Sequence, residues 1–380
     1  MPLTGLTIVE LGSSVAGPFA AETLADLGAR VVKVERPGAG DDARGWGPPF
    51  WHGPSAPFQH LNRNKASVAV DFKDPEALAA LKAFIAREAD VVVQNMRPGA
   101  ADRLGLGAEA LTADNPRLIY CTIGAFGNRG PLKHHAGYDP LMQAFGGIMS
   151  VTGEAGRPPV RVGASIVDLG AGMWGAIGIL AALHRRNVTG RGGTVDTSLF
   201  ETALGWMGIL MSAYRASGEL PKPQGTGLQM LVPYQGFETR TGWLIVAAGN
   251  DRQFARLARA LGRPEWADDP RFMTNAARVA HREELIPAMA VILAAEPRGR
   301  WVEALDAADV PCAPMQNMAE VLAHPQTAAM GQIQPVPGTD MELVGLPVSI
   351  DGVRPPIRSR APEVGQDTET LLPAAKKRRG

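Results

Sequence analysis

The sequence predicts an α/β protein whose main domain is a Rossmann-like, mostly parallel sheet covered by helices on both faces. Two observations predict this fold. Between residues 6 and 123, short β-rich segments alternate with segments of helical periodicity, and glycine or proline marks many of the turns. The chain also has 380 residues, of which 45% are hydrophobic, so it can bury a sizeable core.

The first forty residues predict one βαβ unit. Its parts are a strand over Leu6 to Leu11, a glycine turn over Gly12 to Pro18, a helix over Phe19 to Leu27 that stops at Gly28, and a strand over Arg30 to Glu35. Parallel strands end at one edge of a sheet, so ligands are expected there.

A second unit of the same kind follows. It comprises a strand over Ser67 to Phe72, a helix over Asp74 to Glu88 and a strand over Asp90 to Gln94, and Arg117 to Ile123 adds a further strand. The small-residue segment Asp168 to Arg186 predicts a closely packed helix, and Thr194 to Asp196 a strand after it. The large domain is therefore placed at residues 1–215.

A smaller α+β domain is predicted for residues 228–315, after a connector rich in Gly and Pro. It opens with a hairpin over Tyr234 to Thr239 and Trp243 to Ala248, and helices are expected near Asp251 to Leu261, Glu283 to Ala295 and Arg300 to Ala308. The segment from Gln334 to Pro362 is predicted to be extended. The basic tail Lys376 to Arg379 is interpreted as a solvated terminus, with nuclear targeting as the alternative.

Composition restricts the partners. Lys plus Arg and Asp plus Glu both number 38, so no net charge recruits nucleic acid or an anionic membrane. The two cysteines, Cys121 and Cys312, indicate neither a disulfide framework nor a metal site and fit a reducing cytoplasm. The most apolar helix segment, Ala171 to Leu183, is expected to be too short to span a bilayer.

The glycine turn does not match a nucleotide-binding motif, although Glu35 stands where dinucleotide-binding enzymes place an acid that binds ribose. Gly12 and Gly17 lack the closely spaced second glycine, and Pro18-Phe19 replaces the Lys-Ser/Thr of a P-loop. NAD is therefore not expected. The turn either presents backbone N–H groups to a polar ligand or is only a tight turn.

Asp168 is the carboxylate of interest, because it opens a helix whose next residues are too small to shield it. One interpretation is an ordinary helix N-cap. The other is a nucleophile that attacks an activated acyl group while nearby N–H groups stabilise the oxyanion. Local sequence leaves both open. Four basic residues near predicted strand ends are candidates for binding phosphates: Arg36, Lys73, Arg97 and Arg103.

Six motifs in order resemble the CaiB/BaiF family of CoA-transferases (family III). They are A-G-P-F-A at 16 to 20, K-V-E-R-P-G-A-G-D at 33 to 41 with N-R-N-K at 62 to 65, Q-N-M-R-P-G-A at 94 to 100, A-G-Y-D at 136 to 139, V-G-A-S-I-V-D at 162 to 168 through A-A-L-H-R-R at 181 to 186, and V-P-Y-Q-G-F at 232 to 237 with A-A-G-N-D at 247 to 251. The resemblance covers nearly the whole chain.

The resemblance implies a CoA-transferase with Asp168 as the catalytic nucleophile, acting through anhydride and aspartyl-CoA thioester intermediates without metal or NAD. The positions that match the family's CoA contacts are Val15, Ala16, Arg36, Val70, Asp71, Phe72, Lys73, Asn95, Met96, Arg97, Arg103, Ala136, Gly137, Tyr138 and Asp139. The resemblance also implies an interlocked homodimer, in which residues 316–380 return to the large domain.

Departures from the family patterns narrow the activity. Racemases of this family carry a histidine at the position of Tyr138, so transfer is favoured over an acyl-CoA racemase or isomerase. A catalytically silent acyl-CoA binding protein stays as an alternative that the presence of Asp168 disfavours. The glycine-rich loop of formyl-CoA:oxalate enzymes is not evident, so oxalate is not expected. The chain also ends shortly after V-G-Q-D-T at 364 to 368, where members usually continue with another helix.

Three segments look closest to succinyl-CoA:glutarate transferases: G-A-G-D-D at 38 to 42, G-P-P-F at 47 to 50 and V-P-Y-Q-G-F at 232 to 237. This likeness implies succinyl-CoA as donor and a dicarboxylate as acceptor. A dicarboxylate acceptor needs a cationic partner. Arg44, Arg252 and Arg278 are the candidates, and the sequence does not choose among them.

Overall fold

The computed structural model describes residues 1–373, which fall into two compact units. One comprises Met1–Ile148, Arg161–Glu219 and the chain from Gln326 onward, and the other comprises Met149–Val160 and Leu220–Pro325. The chain thus leaves the first unit, forms the second and returns to the first. The basic tail over Lys376 to Arg379 lies outside the described residues.

The first unit contains a six-stranded sheet in which every neighbouring pair is parallel. Its strands are β1 (Thr7–Glu10), β2 (Arg30–Glu35), β3 (Lys65–Ala69), β4 (Val91–Gln94), β5 (Ile119–Gly124) and β6 (Gly193–Ser198). Their order is β3-β2-β1-β4-β5-β6. The predicted parallel α/β sheet is confirmed. The order reverses between β1 and β4, and such a switch point opens a crevice at the carboxyl ends of the strands.

Nine α-helices precede residue 218. They are α1 (Ala16–Asp26), α2 (Ala56–Asn62), α3 (Pro75–Glu88), α4 (Ala100–Arg103), α5 (Ala108–Asp114), α6 (Asp139–Phe145), α7 (Ile148–Val151), α8 (Ile166–Thr189) and α9 (Leu199–Ser217). Helix α1 begins at Ala16, three residues before the predicted start at Phe19. Pro18 does not prevent this, because amides in the first turn of a helix have no intrahelical acceptor and the N–H that proline lacks is one of them.

Helix α8 is longer than predicted. It extends from Ile166 to Thr189 and ends at Gly190, whose φ of 75° suits the left-handed helix cap. By length and composition this helix could cross a bilayer, so the expectation that it is too short is wrong. Half of its apolar stretch is buried within the protein.

The second unit has an antiparallel sheet of three strands, β7 (Tyr234–Thr239), β8 (Gly242–Ala247) and β9 (Cys312–Pro314). Its helices are α10 (Asp251–Ala260), α11 (Asn275–Ala280), α12 (Arg282–Ala294), α13 (Arg298–Ala307) and α14 (Met318–Ala323). The predicted hairpin is present. One apolar cluster that includes Phe254, Trp266 and Trp301 forms the core of this unit.

The returning C-terminal segment carries α15 (Pro325–Met330), the antiparallel pair β10 (Ile333–Pro335) and β11 (Glu342–Val344), and α16 (Thr368–Leu371). It covers the edge strand β3. Asp367 accepts a hydrogen bond from the Ser67 amide at 2.9 Å, and Thr368 Oγ1 accepts one from the Ala69 amide at 2.9 Å. These contacts satisfy edge amides that are otherwise open to pairing with another strand.

Candidate active site

The glycine turn lies at the switch point between β1 and β4, and its shape depends on Asn95. The Asn95 side chain accepts from the Ser13 amide and donates to the Ser13 carbonyl, each at 2.9 Å. A Cβ at Gly12 or Gly17 would lie 3.2 or 3.0 Å from Asn95 Oδ1. The two glycines therefore make room for the Asn95 amide, which is a packing role and not a nucleotide fingerprint.

Helix α8 lies directly against the start of α1. A Cβ at Gly172 would lie 2.8 Å from the Ala16 carbonyl oxygen, so only glycine allows this approach. Asp168 lies four residues earlier on α8, about one helical turn before Gly172. The packing thus places the start of α8 beside the glycine turn.

Asp168 is not the N-cap of its helix, so the capping interpretation is wrong. Ser165 is the N-cap residue, and its side chain makes no capping hydrogen bond. Asp139 caps the helix instead: its Oδ2 accepts from the amides of Val167 at 2.9 Å and Asp168 at 3.3 Å. The carboxylate of Asp168 is therefore not used to cap its own helix.

The environment of Asp168 favours its protonated form more than water does. Burial raises the pKa of this carboxyl group, and the nearby negative charge of Asp139 adds to the effect, which brings the pKa to about 7. A carboxylate with this pKa is more basic than a free one, and it still ionises near neutral pH. Both properties suit a nucleophile.

Asp139 is held by Gln143, one turn further along α6. Gln143 Nε2 donates to Asp139 Oδ1 at 2.6 Å, and Gln143 Oε1 accepts from the Val162 amide at 2.8 Å. Asp139 is 2% exposed, whereas the neighbouring Tyr138 is 64% exposed. The four predicted CoA contacts from Ala136 to Asp139 therefore divide: the first three reach the surface, and Asp139 organises the loop before Asp168.

The predicted contacts in the first turn and after β3 differ in exposure. Ala16 is buried and Val15 half-buried at the start of α1. Val70 lies in the core of the sheet domain, and Phe72 packs against that core. Asp71 accepts from the Lys73 amide at 2.9 Å and so closes a local turn.

The four predicted phosphate-binding cations are all exposed, and three of them follow the carboxyl ends of β2, β3 and β4. Arg36 donates to the Gly40 carbonyl and to Asp42, so part of its guanidinium is engaged. Arg103 lies near Gly99, where a Cβ would be 3.2 Å from its Nη1. The sheet topology places Arg36, Lys73 and Arg97 on one edge.

A pocket of about 360 Å³ opens at the carboxyl ends of β4, β5 and β6. Two of the residues predicted to contact CoA, Met96 and Arg97, line this pocket. A third, Asn95, lies at the glycine turn instead. Asp196 and Glu201, which the sequence interpretation missed, also line it. Burial raises the pKa of Asp196, a hydrogen bond from Asn128 opposes that shift, and the charge of Glu201 adds to it.

Two of the arginines considered for an acceptor carboxylate are already engaged. Arg44 pairs with Glu35 at 2.6 Å and stacks over the Phe58 ring at 4.0 Å. Arg278 is buried and pairs with Asp251 at 2.8 Å. Both stabilise their own units. Glu35 is also occupied, because it accepts from Ser67 Oγ at 2.7 Å in addition to Arg44, so it is not available to a ribose.

The cysteines are not placed as nucleophiles. Cys121 is buried in β5, and burial together with the charge of Asp196 raises its pKa to about 12. Burial and Asp306 raise the pKa of Cys312 to about 11. Among residues 1–373, no group of three His, Cys, Asp or Glu side chains is arranged to hold a metal ion.

Comparisons with known proteins agree with these features. The model of CoA-transferase family III matches residues 3–368. Succinyl-CoA:glutarate CoA-transferase from Mus musculus is 36% identical over 98% of this chain and 86% of its own length. Acetyl-CoA:oxalate CoA-transferase from Acetobacter aceti is 37% identical over 97% of this chain and 95% of its own length.

A solved structure supports the same assignment. The crystal structure of a CaiB/BaiF family protein from Brucella suis superposes with a TM-score of 0.89 at 38% identity, covering 99% of this chain and 100% of that one. The matched family model, the relatives and this structure each extend over nearly the whole sequence. The chain is therefore a member of CoA-transferase family III and an enzyme of the CoA-transferase class.

Proposed function

We propose that this CoA-transferase works by covalent catalysis at Asp168, with succinyl-CoA as donor and a dicarboxylate as acceptor. The observation that carries the proposal is the placement of Asp168. Its carboxylate does not cap its own helix, and burial and Asp139 raise its pKa to about 7. Asp168 lies one turn before Gly172, which packs against the Ala16 carbonyl oxygen at the start of α1.

In the proposed reaction, an Asp168 oxygen attacks the thioester carbonyl of the donor and the C–S bond breaks. This gives a mixed anhydride and CoA thiolate. The thiolate then attacks the Asp168 carbonyl carbon, which releases the donor acid and leaves an aspartyl-CoA thioester. The acceptor carboxylate attacks that thioester to form a second anhydride. The released thiolate attacks the carbonyl carbon that this anhydride received from the acceptor, which gives the new acyl-CoA and free Asp168.

The start of α1 supplies donors for the oxyanions of these steps. The first backbone amides of a helix have no intrahelical acceptor, and they point along the positive end of the helix dipole. In α1 these amides belong to residues around Ala16, which touches α8 through Gly172. The first amides of α8 are less available, because Asp139 already accepts from those of Val167 and Asp168.

The choice of substrates rests on the relatives. The Mus musculus relative is named for succinyl-CoA and glutarate, and the Acetobacter aceti relative for acetyl-CoA and oxalate. Both acceptors are dicarboxylates. Arg252, the third arginine considered for an acceptor carboxylate, is exposed in the first turn of α10. A panel of acids that includes glutarate, oxalate and monocarboxylates of the same length separates these acceptors.

Trapping the intermediate tests the covalent step. The protein is incubated with succinyl-CoA, treated with borohydride or hydroxylamine, and measured by intact mass and peptide mapping beside Asp168→Ala. Before treatment, a CoA adduct at Asp168 is expected in the wild type only. After treatment, a hydroxamate from hydroxylamine or an alcohol from borohydride is expected at the same residue. Transfer of CoA from succinyl-CoA to the acceptor by the Asp168→Ala variant at the wild-type rate contradicts the proposal.

A second copy of the chain is proposed to cover an apolar face of the first unit. Large side chains stay exposed along α8 and α9, including Ile177 at 51% and Ile209 at 79%. Trp174 and Trp206 join the two helices, with ring centroids 6.1 Å apart. Exposed apolar surface of this kind marks interfaces. Sedimentation of Ile177→Glu as a monomer, with a dimeric wild type, is the expected result.

A further inference from the structure

We infer that a buried cluster of two lysines and two carboxylates holds the glycine turn in position for catalysis. The cluster consists of Glu10, Lys33, Asp41 and Lys65, whose side chains are at most 1% exposed. The inference rests on the proposed function only in that the turn borders the reacting carboxylate. It assigns a positioning role to three charged residues of two motifs, at 33 to 41 and 62 to 65.

The four charges balance within the cluster. Lys33 Nζ lies 2.7 Å from Glu10 and 2.9 Å from Asp41, and Lys65 Nζ lies 2.8 Å from the other oxygen of Glu10. Two cations therefore face two anions. Buried ion pairs of this kind add little stability compared with apolar side chains of the same size. Stability alone is thus a weak reason for the cluster.

Each lysine uses its third hydrogen bond on the backbone of the turn. Lys33 Nζ donates to the Gly12 carbonyl at 3.0 Å. Lys65 Nζ donates to the Pro18 carbonyl at 2.9 Å, and its other neutral partner is Asn62 Oδ1 at 2.9 Å. The ammonium groups thus hold the first and last residues of the turn.

The middle of the turn is held by the side chains of Asp41 and Asn95. Asp41 Oδ1 accepts from the Ser14 amide at 3.1 Å, and Asn95 holds both backbone groups of Ser13. Ser14 has a φ of 67°, a left-handed conformation that costs energy for a residue other than glycine. A strained residue persists only where its surroundings fix it, and here the Asp41 carboxylate does so.

The consequence for catalysis is positional. The turn leads directly into α1, whose Ala16 carbonyl oxygen packs closely against Gly172 of α8, one helical turn after Asp168. A displacement of about 1 Å at such a position lowers a reaction rate by about 100-fold. The cluster residues do not touch substrate in this account, so they are positioning residues.

The test uses Lys33→Met, which removes the donor to Gly12 and keeps a long side chain. Arg186→Met is the matched control. Arg186 is also buried and pairs with Asp90 at 3.0 Å, but it lies near the C-terminal end of α8, far from the turn. Melting temperature, hydrogen exchange of the peptide that contains residues 12–18, kcat and KM are measured for wild type and both variants.

The expected result is faster exchange of the peptide over residues 12–18 in Lys33→Met only, with kcat lowered by about 10- to 100-fold and KM for the acyl-CoA changed less than about 3-fold. Arg186→Met is expected to lose melting temperature and keep kcat. Unchanged exchange in folded Lys33→Met overturns the inference, as does faster exchange with an unchanged kcat.

If Lys33→Met fails to fold, Asp41→Ala removes the acceptor for the Ser14 amide and leaves the Lys33–Glu10 pair in place, and the same outcomes apply to it. The exchange measurement needs no activity. If the wild type forms no adduct at Asp168, the proposed function is contradicted. The exchange measurement still shows whether Lys33 holds the turn.

Discussion

Two aspartates of the first unit, Asp41 and Asp168, show what buried charge does in this enzyme. Burial taken alone acts to raise the pKa of both carboxyl groups. At Asp41, the ammonium of Lys33 and the amides of Ala43 and Ser14 outweigh burial and lower the pKa. At Asp168, the carboxylate of Asp139 adds to burial, and the pKa rises to about 7. The paired aspartate holds the backbone, and the one that faces another carboxylate is left reactive.

The largest effect is expected from removing the reactive aspartate. Asp168→Ala lacks the nucleophile, so kcat is expected to fall by at least about 10⁴-fold. Steady-state transfer from succinyl-CoA measures this, with circular dichroism as the control for folding. A loss of less than about 10-fold means that Asp168 is not the group that carries the acyl chain.

An intermediate effect is expected where the loop before Asp168 is held. Gln143→Met breaks the link between Asp139 and the Val162 amide, and kcat is expected to fall by about 10-fold because the loop loses its fixed position. Gln59→Met is the matched control. Gln59 is equally buried, and it bonds to Trp51 and Ala361 instead. Equal losses of kcat in the two variants refute the role of Gln143.

A smaller effect is expected when the like charge beside Asp168 is removed. Asp139→Asn removes part of the cause of the raised pKa, so Asp168 ionises at lower pH. The activity at pH 6 relative to pH 8 is expected to rise severalfold over the wild-type ratio. The pH dependence of kcat/KM measures it. An unchanged ratio shows that Asp139 does not act on Asp168 through its charge.

The smallest effect is expected in stability. The folded-state pKa of Asp168 is raised, so its contribution is present below about pH 4 and is lost as the pH rises through about 7. Asp168→Asn is therefore expected to be more stable than wild type at pH 8, by on the order of 2 kcal/mol, and the difference shrinks towards pH 5. Asp114→Asn, at an exposed position, serves as the control.

The sequence predicted the sheet well because its strands are short apolar runs separated by glycine and proline. The strand predicted over Arg30 to Glu35 has the same first and last residues in the structure, and the parallel sheet is confirmed. Helix α9 was missed, although Ser198 caps it and Gly218 ends it. Much of its apolar surface stays exposed in a single chain, so its pattern does not mark one buried face.

The site was less predictable, because its key contacts join segments that are distant in the chain. The sequence identified Asp168 but not that Asp139, 29 residues earlier, caps its helix. It also gave no indication that Lys33 and Lys65 both bind Glu10, since a lysine in a strand is usually expected to be solvated. The sheet register pairs Glu10 with Lys33, whereas Lys65 lies on β3, two strands from β1, and reaches Glu10 through its side chain.

The most direct test of Asp168 as the reactive carboxylate is the pH dependence of covalent adduct formation in the wild type. The rate of the first turnover with succinyl-CoA is measured by rapid quench and intact mass between pH 5 and 9. The rate is expected to rise with pH and level off with an inflection near pH 7, because only ionised Asp168 attacks. A rate that is flat across this range, as an inflection near pH 4 would give, contradicts the account.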